Sequence, residues 1–194
     1  MIRGLCAAFL CALVVTVAFW SSGASAQSVR FNFNTESRGL DKKFQKQMVA
    51  YNGREAPGTI IIDTKNRFLF LVMPGGQAMR YGVGVGRDGF AWSGEATIES
   101  KQEWPKWFPP KEMIARDPKL APYSTGMAGG PENPLGARAM YLYKDGKDTL
   151  FRIHGTSQPW SIGQSLSSGC IRLLNEDVID LYERVNLGTT VVVQ

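Results

Sequence analysis

The chain has 194 residues, 44% of them hydrophobic and 20% charged, with a formal net charge of +5 at pH 7; that bounds it to one domain, or one domain with an appendage, holding enough apolar material for a core. One histidine, His154, and three cysteines, Cys6, Cys11 and Cys170, exclude a zinc site built on two or more histidines, and CxxC ribbons are absent. No apolar run reaches the roughly 20 residues of a membrane-spanning helix, and plentiful aromatics with no Gly or Pro period exclude collagen-like and disordered classes.

Residues 1–26 read as a secretory signal, with an uncleaved anchor helix as the alternative. Arg3 supplies the positive n-region, Leu5 to Trp20 is a 16-residue stretch apolar apart from Thr16, and Ala24-Ser25-Ala26 offers an A-x-A cleavage site that puts the mature start at Gln27. Cleavage removes Arg3 and takes the net charge from +5 to +4. Such basicity suits a polyanionic surface such as a cell wall, and nothing in the chain points to nucleic acid or to stable membrane insertion after cleavage. Cys170 is then the only cysteine left, so no intramolecular disulfide can form. An unpaired thiol in an oxidising compartment is a liability unless it is buried or used.

Residues 27–57 are polar and mixed in charge, with an apolar patch at 48–51; they predict an N-terminal extension that packs one strand on the body, residues 58–194. Within the body, 59–63 and 67–73 are β-branched or aromatic runs across a polar turn and predict a hairpin. A third strand is predicted over 77–86 and a fourth over 96–100. Residues 104–135 are rich in Pro and Gly and predict a long irregular stretch of the functional kind. Strands are predicted over 139–143 and 150–154 around Lys144-Asp145-Gly146. The one helix starts at Asn175 as N-cap, with Val178, Ile179, Leu181, Tyr182 and Val185 at helical spacing, and closes near 186–188. A final, central strand occupies 189–193. The fold class is mainly β with one late α-helix.

Two weaker patterns compete with plain structure. Gly84-Val85-Gly86-Arg87-Asp88-Gly89 matches G-x-G-x-x-G, but no helix pattern follows to receive a pyrophosphate, so a Gly-rich strand end is the better reading. Trp92, Trp104, Trp107 and Trp160 suit a sugar-stacking surface or, equally, core and loop anchors.

The stronger pattern is His154 with Cys170, each alone of its kind in the mature chain. A thiol with a reference pKa of roughly 8.5 needs an adjacent base to become a nucleophile at neutral pH, and Cys with His is the minimal arrangement for that. Gly169 lets backbone approach a substrate closely, where N–H groups serve as an oxyanion hole. The bland alternative is a buried Cys and a structural His.

His154-Gly155 followed by Ser167-Ser168-Gly169-Cys170-Ile171-Arg172 resembles the signature of the L,D-transpeptidase (YkuD) catalytic domain. Gly58-Thr-Ile-Ile-Ile-Asp63, Tyr81-Gly-Val-Gly-Val-Gly86 and Asn133-Pro134-Leu135-Gly136 are also similar to that family, and in the same order. One departure is Ser168, where many members carry a second histidine. The resemblance implies a β-sandwich or barrel-like catalytic domain, with no metal or organic cofactor. Peptidoglycan stem peptides are the implied substrates: Cys170 is the nucleophile that expels D-alanine from a tetrapeptide donor, His154 the general acid–base, and a 3→3 crosslink the product. Gly169, Gly155 and Ser168 are then the oxyanion-hole and orienting candidates; the group that orients His154 is left open between a backbone carbonyl near Gly155 and the Ser167 or Ser168 hydroxyls. Arg172 is the candidate for a substrate carboxylate, Tyr141 and Tyr123 for the cleft wall, and 104–135 for a lid. Outer-membrane proteins or water are alternative acceptors, a wall-binding module is the non-catalytic alternative, and the implied location is the periplasm.

Overall fold

The computed structural model describes residues 39–87 and 92–194; the expected signal, 1–26, lies outside them. The apolar runs become strands β1 (Gln47–Ala50), β2 (Ile60–Asp63), β3 (Phe68–Met73) and β4 (Gln77–Gly82), followed by the short β5 (Val85–Gly86). β6 (Gly94–Glu103), α1 (Lys111–Arg116), β7 (Arg138–Lys144) and β8 (Lys147–His154) come next. The chain closes with β9 (Ser165–Ser167), β10 (Ile171–Arg172), α2 (Asn175–Arg184) and β11 (Thr190–Val193).

Nine strands form one sheet in the order β1-β4-β3-β2-β11-β6-β7-β8-β10, and β5 pairs with β9 beside it. β1 joins antiparallel to β4, so the patch at 48–51 does pack a strand on the body. β11 is central: it runs parallel to β2 and antiparallel to β6. Residues from both halves of the sheet share one core. Ile60, Leu69 and Tyr81 meet Ile98, Met140, Ile153 and Ile171, and α2 covers them with Val178 and Leu181. The β7–β8 turn uses Asp145 and Gly146 at φ 51° and 69°, the left-handed pair that suits a two-residue hairpin. Among the described residues no helix is long and apolar enough to cross a membrane.

Four expectations are corrected. The strand predicted over 77–86 breaks after Gly82, because Gly84 turns to exchange backbone hydrogen bonds with Arg172, 2.9 Å in each direction. A Cβ on Gly84 would sit 2.6 Å from the Ser161 carbonyl oxygen, so only glycine lets the chain cross there. The 104–135 stretch is not wholly irregular: it holds α1 and a 3-10 helix at Pro118–Tyr123. The helix N-cap is Leu174, with Asn175 as the first helical residue, because the Asn175 side chain is drawn inward to backbone groups. The helix also ends earlier than predicted, at Arg184, where the Lys101 ammonium takes the carbonyls of Tyr182 and Val185 at 2.6 Å each. Of the tryptophans, Trp92 stacks on Phe151 at 5.2 Å, whereas Trp160 is 64% exposed.

Candidate active site

β8 and β10 run parallel with Ile153 opposite Ile171 and His154 opposite Arg172. Side chains alternate along a strand. Ile153 and Ile171 enter the core, so Arg152, His154, Cys170 and Arg172 share the opposite face. Antiparallel pairing puts Tyr141 of β7 against Arg152, and the Arg152 guanidinium lies 4.4 Å from the Tyr141 ring centre. Two pairs that sequence places 16 or more positions apart, Arg152 with His154 and Cys170 with Arg172, thus meet at one sheet edge.

Cys170 is delivered by a tight turn. The Ser167 hydroxyl accepts the Gly169 N–H at 3.1 Å and donates to the Cys170 carbonyl at 2.6 Å, while Gly169 takes φ 108°, a conformation nearly reserved for glycine. The Gly169 N–H is therefore occupied by Ser167. Ser168, at the tip, is exposed. Tyr123 is exposed at the end of its 3-10 helix.

His154 is 4% exposed, and its Nδ1 lies 2.6 Å from the Gly155 carbonyl oxygen. A carbonyl can only accept, so Nδ1 carries the proton and Nε2 is left as the basic nitrogen. Of the orienting groups that sequence leaves open, the Gly155 carbonyl is the one in contact. Burial pushes the imidazole down to about 4, helped by the Arg172 and Arg152 charges and opposed by the Gly155 hydrogen bond. Burial also pushes the Cys170 thiol up, against the Arg152 main-chain N–H that donates to its sulfur and the charges of Arg152 and Arg172. At neutral pH both groups are uncharged. The two groups therefore do not rest as an ion pair, and the unprotonated Nε2 is the one basic nitrogen of the site.

The two arginines differ. Arg152 forks onto Asp148 at 2.7 and 2.8 Å, held there by a bulge in β8 where Leu150 takes φ 63° and donates its N–H to Asp148. Burial lowers the Arg172 pKa, with Cys170 opposing, and no carboxylate among the described residues lies within ion-pairing distance of Arg172. Sequence reasoning missed Arg152 and Asp148; counting two residues back from His154 along one strand face would have found the first.

A family model, the YkuD L,D-transpeptidase catalytic domain, matches residues 57–193. The chain is 32% identical over 141 residues to a probable L,D-transpeptidase, ErfK/SrfK, of Escherichia coli strain K12, covering 68% of this chain and 42% of that protein. It thus spans less than half the length of that curated relative. A Brucella melitensis structure described as a probable carnitine operon oxidoreductase is 55% identical, with TM-score 0.55, covering 84% of this chain and 100% of that one. L,D-transpeptidase 3 from Mycobacterium tuberculosis shares the fold at TM-score 0.51 and 17% identity, covering 70% of this chain and 60% of that one.

Proposed function

The chain belongs to the L,D-transpeptidase (YkuD) catalytic-domain family, and from that premise we propose that it crosslinks peptidoglycan stems through a thioester on Cys170. One observation carries this reading: the only thiol of the described residues and the only imidazole of the chain share a face of the β8–β10 edge, with Arg172, which has no carboxylate partner among the described residues, beside them.

In the proposed cycle, Cys170 Sγ attacks the carbonyl that joins the third residue of a tetrapeptide stem to its terminal D-alanine. His154 Nε2 takes the thiol proton, and the Cys170 N–H steadies the oxyanion, since Ser167 already holds that of Gly169. The tetrahedral intermediate collapses as the imidazolium returns its proton to the leaving amine of D-alanine, leaving a thioester. The side-chain amine of a second stem then attacks, His154 takes its proton and gives it to the departing Cys170 sulfur, and a 3→3 crosslink results. Arg172 holds a donor carboxylate as a charge-assisted pair, and Tyr141 walls the cleft through the Arg152 stack. Export to the periplasm, by the 1–26 signal, puts the enzyme where its substrate is. An oxidoreductase reading draws nothing from these residues: the Gly84-Val85-Gly86 run enters β5, not a helix that could meet a pyrophosphate.

The test is to incubate the purified protein with disaccharide-tetrapeptide and read the products by mass spectrometry, with Cys170→Ala alongside. The expected product is a dimer lighter by one alanine, absent with Cys170→Ala. A tripeptide would make water the acceptor; an acyl-enzyme without turnover would point to a protein acceptor. A thiol that stays unmodified overturns the catalytic reading in favour of a wall-binding module.

A further inference from the structure

We propose that Asn175 is a positioning residue: its buried amide holds the Thr156 carbonyl, one peptide beyond the Gly155 carbonyl, and by fixing the direction of the latter keeps the imidazole in its Nδ1–H tautomer. The inference rests on the reading of His154 as the general base.

Asn175 is 1% exposed at the first turn of α2. Its Oδ1 accepts the Ala137 N–H at 2.8 Å and its Nδ2 donates to the Thr156 carbonyl at 2.9 Å. The helix start goes without a side-chain cap, so an excellent capping residue is spent on a different bond. Two glycines make room for it. A Cβ on Gly155 would collide with Asn175 Oδ1, and a Cβ on Gly136 would do the same while falling 2.5 Å from Thr156 N and 2.6 Å from the Gly155 carbonyl carbon. The start of β7, the chain leaving β8 and the start of α2 therefore meet where no side chain but that of Asn175 fits.

A brace alone could sit anywhere along these segments. This one closes on the Thr156 carbonyl, in the peptide next to the one whose carbonyl faces the imidazole. Glycine is the most permissive residue in backbone conformation, so the Gly155 carbonyl has no direction of its own. Gly155 N–H is pinned to the Arg138 carbonyl at 3.0 Å, and the Thr156 carbonyl is pinned to Asn175. With both sides fixed, the carbonyl between them faces His154 Nδ1 at 2.6 Å. Loosening either pin frees the ring to flip or to change tautomer, which would withdraw Nε2 as the base.

The chain has one histidine, so 15N-histidine labelling of the full-length protein, purified without a polyhistidine tag, gives the nitrogen signals of this ring alone. Asn175→Asp keeps the Oδ1 acceptor and the volume but replaces the Nδ2 donor with an oxygen facing the Thr156 carbonyl; Asn175→Ser is the second variant, smaller and uncharged. The unsubstituted protein should show a protonated Nδ1 and a bare Nε2 at neutral pH. Both variants should show mixed tautomers and an imipenem acylation rate at Cys170, read by intact mass, lower by about tenfold or more. Lys101→Met, which strips the cap from the far end of α2, should leave tautomer and rate unchanged. Folded Asn175 variants with the original tautomer and rate overturn the proposal, as does a protonated Nε2 in the unsubstituted protein. Failure of the unsubstituted protein to react with imipenem would instead sink the transpeptidase reading, with the tautomer comparison still deciding the role of Asn175.

Discussion

His154 is kept neutral by where it sits, and Arg172 adds to that by placing a positive charge close by. Replacing Arg172 with alanine removes the charge and admits water, and both changes favour the imidazolium. In Arg172→Ala the His154 pKa should climb from about 4 toward the ordinary 6.5, which an NMR titration of the single ring would read directly. The same variant tests the carboxylate role. A charge-assisted hydrogen bond is worth roughly 1.5–3 kcal/mol, so KM for a carboxylate-bearing donor should rise about 10- to 100-fold, with little change for the matching carboxamide. Equal losses on both donors would place Arg172 outside substrate recognition.

The turn from β9 to β10 depends on one hydroxyl, since Ser167 Oγ serves both the Gly169 N–H and the Cys170 carbonyl. Ser167→Ala leaves two backbone groups of the turn that carries Cys170 without that partner, a loss of about 1–3 kcal/mol in unfolding free energy. Acylation of Cys170 should slow as well; chemical denaturation and imipenem labelling check the two effects, and an unchanged rate would show that the turn keeps its shape alone. Neither β9 nor β10 was legible in the sequence: three and two residues of mixed polarity carry no period, and only their pairing to β5 and β8 makes them strands. By contrast 59–63 and 67–73 announced β2 and β3, because β-branched and aromatic side chains suit a pleated, buried surface. The candidate pair, Cys170 and His154, was legible from the scarcity of Cys and His. Arg152 and Asn175 were not, since the first depends on which way β8 faces after its bulge, and the second imitates an N-cap in every local respect. Polar β6 residues such as Gln102 and Glu103 join the ladder because β7 runs alongside them, which local pattern cannot foresee.

For the molecule as a whole, a buried neutral histidine links stability to pH. The folded pKa near 4 lies below the unfolded value of 6.5, so the unfolded chain binds the extra proton. The stabilisation is full above about pH 6.5 and declines as pH falls toward 4, with a loss of about 3 kcal/mol at the acid end. The urea midpoint of the protein should therefore drop more steeply from pH 7 to pH 4.5 than that of His154→Gln; parallel curves would mean that the imidazole is hydrated when folded. β11 has a different reach. It is the seam between β2 and β6, yet residues 190–193 are made more than a hundred residues after β2. Until they emerge, β2 has no parallel partner and the nine-stranded sheet lacks the strand that joins β2 to β6. The growing polypeptide thus cannot complete its nine-stranded sheet before residues 190–193 have been made.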